Sequence, residues 1–444
     1  MGAAGSKKGG DDLETHSVRP EQFERLISLP ESKYTPPVTP FDGSDELEEA
    51  GVDGELQFGE SCRELFLIDF DKWTFFSHGA FGAVLKPAYL NAEKWRRLCE
   101  AQPLKFWDRE LLPLLGHVIR EMASFISCPP QNLVLVPNAT TGLNAAIKSI
   151  SLTPEDAVFV LNVGYKSVKK IATVVCEATG ADLVIGDIIQ PPRSADDIIF
   201  VVENTLPSNA KLAIFDVVTS NTAMKLPVGE LIALCKKRGI PVLLDGAHAL
   251  GMMPVNISQW DPDFFVGNCH KWLCSCKGCA VLYVADKHKH QVQPLVTSGT
   301  SVLGFPADFA WDGNRDYSPY LSLPCVLKFW EAVGSERAAK YIEETLAAGV
   351  QILIDAWGTD CLVPGPLQCP SMAMVRLRDE VADPADPKAI EHVQDTLHHK
   401  FQIEVPVKLA WGKLYVRVSV PIYTRIRDFE DLAEAVCIMA QQKS

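Results

Sequence analysis

The sequence predicts an α/β protein, a mostly parallel sheet dressed with helices and followed by a smaller α+β body, and three observations carry that prediction. Short apolar runs alternate with helical stretches between Leu133 and Lys271, the rhythm of strand–helix–strand units whose strands run parallel. Two of these runs end in residues that can do chemistry: Val242-Leu243-Leu244 leads into Asp245, and Phe264-Phe265-Val266 leads into Asn268-Cys269-His270-Lys271. Beyond about Pro324 longer helices surround two isolated strands, which marks a second body.

Composition narrows the function classes. A chain of 444 residues buries at least one large core, and 47% hydrophobic with 22% charged residues is ordinary for a globular protein. The balance of 42 basic and 56 acidic residues gives −14, a surface that repels a phosphate backbone and argues against nucleic acid as a partner. No apolar stretch reaches the roughly 18–20 residues that span a bilayer, and no apolar signal core follows the N-terminus. The expectation is a soluble, cytoplasmic protein. Thirteen cysteines, an odd number scattered through apolar segments such as Thr173-Val174-Val175-Cys176, read as reduced core residues.

Residues 1–62 are rich in Gly, Pro, Ser and acids and read as a flexible tail with one short helix near Glu21–Leu29. Met1-Gly2-Ala3-Ala4-Gly5-Ser6 matches the N-myristoylation pattern and precedes Lys7-Lys8; one acyl chain on Gly2 with two lysines gives reversible, peripheral membrane contact at most. A large body is expected over 63–320, opening at Phe75-Phe76-Ser77-His78-Gly79-Ala80-Phe81-Gly82, with helices Ala88–Ala101 and Arg109–Ile126.

The strand Leu133–Val136 runs into Pro137-Asn138-Ala139-Thr140-Thr141-Gly142 and a helix to Ile150. Strand, small-residue loop and helix start together offer free N–H groups and a hydroxyl to an anion, although a capping threonine with no ligand has the same appearance. Strand Val158–Leu161 is followed by Gly164-Tyr165, where Tyr165 opens a helix. Strands Leu183–Ile185, Ile198–Val202 and Leu212–Phe215 come next, the last closed by Thr219-Ser220-Asn221, and helix Gly229–Lys237 leads to strand Pro241–Leu244. Thr140, Tyr165, Asn221, Asp245 and Lys271 therefore all fall at carboxyl ends of strands, where an open parallel sheet binds its ligands. Alone, Asp245 is as easily a helix cap and Lys271 a solvated loop residue. Together they address opposite ends of one flat heterocycle, which is what pyridoxal phosphate requires: the amine forms a Schiff base with the aldehyde and the carboxylate keeps the ring nitrogen protonated.

After Lys271, the run Trp272-Leu273-Cys274-Ser275-Cys276-Lys277-Gly278-Cys279 imitates a zinc motif. Its thiols share one tight loop with no second cluster of matching spacing, so no metal is expected. The region Pro294–Tyr320 is loop-rich and holds Gly299-Thr300 and Trp311-Asp312-Gly313-Asn314. The smaller body, over 321–444, should carry helices Cys325–Val333, Glu336–Ile354, Pro387–Lys400 and Asp428–Met439 and strands Met372–Val375 and Leu414–Val420. In the last strand Arg417 stands within an apolar run, and a buried guanidinium needs an anionic partner, a carboxylate by geometry.

This set of motifs resembles the class V aminotransferase-fold enzymes, which include cysteine desulfurases, selenocysteine lyases and kynureninase, and is most similar to the isopenicillin N epimerase-like members. The resemblance spans about residues 65–440. It implies the fold type I architecture of pyridoxal-phosphate enzymes, with a seven-stranded type of sheet, and a homodimer acting on an amino acid. It implies further that Ala139, Thr140, Thr141 and His270 meet the cofactor phosphate, that Tyr165 stacks on the ring, and that Asn221 and His248 lie against the cofactor. Gly313-Asn314 stands where relatives carry Gly-Thr and reach the phosphate of the partner subunit; asparagine keeps a donor there. Arg417 takes the α-carboxylate of the substrate, and His78 belongs to the glycine-rich turn beside it. Lys271, Asp245 and Tyr165 form the expected catalytic set.

One reaction drops out. Desulfurases carry a nucleophilic cysteine on a loop shortly before the arginine strand, whereas Phe401–Ala410 contains none. The reading is an α,β-elimination on a cysteine derivative, a carbon–sulfur lyase; epimerisation or racemisation of an amino acid comes second. A lipid-anchored scaffold without activity is the third reading, and the joint presence of Lys271, Asp245 and Arg417 speaks against it.

Overall fold

The computed structural model describes residues 20–298 and 303–442; the stretch around Gly2 and the pair Gly299-Thr300 lie outside the described residues. In chain order the strands are β1 (Thr74–Phe75), β2 (Leu133–Val136), β3 (Ala157–Leu161), β4 (Asp182–Gly186), β5 (Ala210–Asp216), β6 (Val242–Asp245), β7 (Phe264–Asn268), β8 (Ala280–Val284), β9 (Met372–Arg376), β10 (Ile403–Glu404), β11 (Val407–Ala410) and β12 (Lys413–Ser419). Seven of them form one sheet in the order β2-β8-β7-β6-β5-β3-β4. Its neighbours run parallel except around β8, which is antiparallel to both β2 and β7.

The strands are apolar on both faces because both faces are covered. Val158 and Val160 join a core with Leu143 and Val168 from the helices Ala139–Lys148 and Lys166–Thr179. Phe159 and Leu161 point the other way, into the core that holds Leu115 and Ile119 of helix Leu111–Phe125.

Two expectations need correction, and one strand has no counterpart among them. Ile198–Val202, read as a strand, lies in helix Ala195–Thr205. The β-branched run misleads: only Ile198 and Val202 are buried, a helical spacing of four, and the Asp197 carboxylate accepts the backbone N–H of Ser194 to start the helix. Strand β8, which the sequence reading left unassigned, is a fully buried central strand. Residues 20–62, read as part of a flexible tail, fold onto the body: Phe23 and Ile27 of helix Pro20–Ser28 are buried, and Arg120 donates to the carbonyls of Leu26, Ile27 and Leu29 at its carboxyl end.

In the second body β11, β12 and β9 form an antiparallel sheet against the helices Ser335–Trp357 and Ile426–Gln441. These helices approach closely because Gly349 has no side chain; a Cβ there would lie 2.3 Å from the Phe429 ring. N-terminal residues complete this body. β1 pairs in parallel with β10, and the buried Arg63 donates to Asp428. Among the described residues no helix is long and apolar enough to cross a membrane.

Candidate active site

Adjacent strands β5 and β6 both end in an acid, and the register sets Asp216 opposite Asp245. Both carboxyls are buried. Burial pushes the Asp245 pKa up, opposed by the amide of Ala247, which donates to its Oδ1 at 3.0 Å, and by the charge of Lys271. Asp216 is driven further up by burial and by Asp245, against the amide of Tyr165 at 3.4 Å. Asp245 has no ion-pair partner within 4 Å among the described residues, so its carboxyl can meet a cationic group that a ligand brings.

Lys271 follows β7 on a segment held from above. The turn at Gly82 crosses it so tightly that a Cβ at Gly82 would stand 1.9 Å from the carbonyl oxygen of His270, and Gly82 has φ +69°. Burial lowers the Lys271 pKa to about 8, with Asp245 pulling it back up. Its Nζ lies 3.2 Å from His248 Nε2, and the indole N–H of Trp272 donates to His248 Nδ1, also at 3.2 Å. An indole only donates, and burial holds His248 neutral, so the ring carries its hydrogen on Nε2 and presents it to the Lys271 amine. That arrangement favours the unprotonated amine.

Two adjoining compartments meet at Lys271, sharing Ala80, Phe81, Tyr165, Ser220 and Lys271 as a common wall. The inner one, about 200 Å³, is lined also by Ala139, Thr140, Asp216, Asp245, His248 and His270. The outer one, about 570 Å³, is lined by Asn221, Arg417 and residues of the second body.

At the start of helix Ala139–Lys148 the donors are already shared out. Asn138 accepts the amide and hydroxyl of Thr141, and Asn268 accepts the amide of Ala139 at 2.8 Å. Thr140 is left to face the inner compartment, while Thr141 is turned away from it. His270 donates from Nδ1 to the carbonyl of Cys279 at 3.1 Å, and burial lowers its pKa to about 4. Arg417 donates to the carbonyl of Ser220 at 2.6 Å and to its hydroxyl; its Nε is buried without a partner. A buried guanidinium that lines a cavity and keeps an unpaired donor suits an incoming carboxylate.

Besides Thr141, two expected site residues stand elsewhere. His78, read as a substrate contact, is fully buried: Tyr423 Oη donates to its Nδ1 at 2.9 Å and its Nε2 donates to the carbonyl of Lys271 at 3.1 Å, so both nitrogens are consumed beneath the site. Asn314 lines a separate cavity with Arg96 and Trp107, away from both compartments of its own chain. Asp216 was missed, although Phe215-Asp216 repeats the signature of an apolar run ending in an acid.

A family model described as aminotransferase class-V matches residues 116–364, more than half of the chain. An L-cysteine desulfhydrase of Arabidopsis thaliana is 28% identical, over 98% of this chain and 96% of its own. The isopenicillin N epimerase of Streptomyces clavuligerus is 25% identical, over 81% and 92%. Among solved structures, a cysteine desulfurase from Thermococcus onnurineus superposes with a TM-score of 0.72 at 16% identity, covering 88% of this chain and all of that one, a likeness in fold.

Proposed function

Because this chain belongs to the aminotransferase class-V family, we propose that it is a pyridoxal-phosphate enzyme that cleaves the carbon–sulfur bond of a cysteine derivative by α,β-elimination. When bound, pyridoxal phosphate supplies an aldehyde that an amine can hold and a protonated ring that accepts the electron pair of a departing α-proton. The inner compartment suits it: a buried carboxylate without an ion-pair partner, an amine with a pKa of about 8, and Thr140 at a helix start stand around one cavity.

Lys271 would hold the aldehyde, Asp245 the ring nitrogen, Thr140 the phosphate together with His270 once the anion draws a proton onto its Nε2, and Tyr165 the ring face. Arg417 would grip the α-carboxylate through its guanidinium and fix the substrate above the lysine. His248 orients Lys271 Nζ and favours its unprotonated form, and this atom takes the α-proton and passes it on. With one water consumed, a thioether leaves as thiol, pyruvate and ammonia. Asn314 would serve the phosphate site of a second copy, in a homodimer.

The observation that carries elimination over persulfide transfer is that none of the thirteen cysteines lines either compartment. Sulfur then leaves with the product and never rests on the enzyme. The test incubates the loaded protein with thioethers and cysteine sulfoxides and follows pyruvate, ammonia and α-proton exchange. Pyruvate with ammonia supports the lyase; exchange without pyruvate replaces it by the epimerase; neither signal with any substrate leaves the inactive scaffold.

A further inference from the structure

We propose that the substrate carries a second acid beyond its α-carboxylate and that Lys408 receives it; this names the substrate class of the lyase reading and rests on that reading. Lys408 of β11 pairs with Tyr415 of β12. Arg417 stands two residues beyond Tyr415 on the same strand, so both cations lie on one face of the sheet. Both line the outer compartment.

Arg417 is partly satisfied by Ser220. Lys408 is not: it is half-buried, no carboxylate lies within 4 Å of it among the described residues, and the charge that acts on it is that of Arg417, a like one. Two neighbouring cations on one wall repel each other, and an anion between them relieves that repulsion. The other charged groups around this compartment do not meet the need. Glu404 is engaged by His398, and Asp395 is an exposed residue of helix Ala389–Phe401.

Size points the same way. A space of about 570 Å³ lies within the roughly 300–1,000 Å³ that takes drug-sized ligands, far more than the side chain of cysteine fills. One carboxylate satisfies Arg417; the group attached to sulfur extends along the wall and brings the other to Lys408. The substrate class is therefore an S-substituted cysteine whose sulfur substituent ends in a carboxylate.

The experiment compares S-carboxymethyl-L-cysteine with its amide, S-carbamoylmethyl-L-cysteine, measuring binding to the loaded protein by calorimetry and pyruvate release separately. The acid should bind roughly ten- to a hundredfold more tightly than the amide, the worth of one charged hydrogen bond. Lys408→Gln should erase that preference without changing affinity for the amide, and Lys408→Arg should keep it. Lys408→Met, which retains the alkyl stem against the sheet, takes the place of the glutamine variant if that protein melts early. Equal affinities in the unmodified protein, or a preference that survives both neutral variants, would overturn the inference. Acid-selective binding without pyruvate upholds it while sinking the lyase reading; pyruvate from both compounds at equal affinity does the reverse.

Discussion

The inner and outer compartments share a wall at Lys271 but are built differently. Strand ends frame the inner one: Asp216, Asp245 and the lysine segment leave neighbouring parallel strands, and their spacing is set by the hydrogen-bond ladder of a sheet buried on both faces. Much of the outer wall comes from the second body, through β10, β11, β12 and the helix Ala389–Phe401. The difference teaches that the groups suited to chemistry are fixed by the sheet, whereas what they act on is chosen by a separate set of elements. Substitutions in one compartment should therefore leave the properties of the other largely intact.

The largest effect is expected at the shared wall, from Lys271→Ala. It should abolish the near-visible absorbance of the loaded protein and its covalent fixation by borohydride, and lower turnover by at least roughly 10²–10⁴-fold. Survival of the adduct would locate the attachment elsewhere. Asp245→Asn comes next, with turnover down by roughly 10²–10³-fold and cofactor affinity reduced much less. The same change at Asp216 should cost far less, because burial and Asp245 already hold that carboxyl toward its protonated form and asparagine is close to it in shape. Equal losses at both acids would mean that the ring is not held as proposed.

Arg417→Lys probes the outer compartment, since a point charge cannot replace the planar fork. Amino-acid substrates should weaken by about 2–4 kcal/mol while cofactor binding and melting temperature hold; a large drop in melting temperature with unaltered substrate affinity would assign Arg417 to the fold alone. The smallest effect expected is on pH. The Lys271 amine reacts only when unprotonated, so the rate at which apo-protein captures the cofactor should rise with pH through about 8 and then level off. Trp272→Phe frees His248 Nδ1 and no longer obliges Nε2 to donate to the amine, so the midpoint of that rise should move upward. An unchanged midpoint would remove Trp272 from the account.

What could be read from the sequence follows from the same contrast. Asp245 closes one wholly apolar run and Lys271 follows shortly after another, and such runs announce themselves. Asp216 closes another, but with no lysine following on its own neighbouring segment it drew no notice. Lys408 and Glu404 sit on strands of four and two residues with mixed polarity, where neither period nor composition gives a signal. His78 lies in a glycine-rich turn that suggests contact with a ligand, and burial beneath Lys271 is a tertiary fact that no local pattern encodes. Ile198–Val202 failed for the opposite reason, since its strand-forming composition is overruled by a helix start and by which side chains find a core.

The pairing of β1 with β10 sets the order in which the molecule can be finished. Thr74 emerges from the ribosome more than three hundred residues before Ile403, its partner in register, and the turn that clasps Lys271 follows directly from β1. The glycine-rich turn cannot be pinned from the second-body side until nearly the whole chain has been made. A nascent or C-terminally shortened chain can thus assemble the parallel sheet yet lack this anchor over its lysine, which ties the appearance of a competent amine to the completion of synthesis.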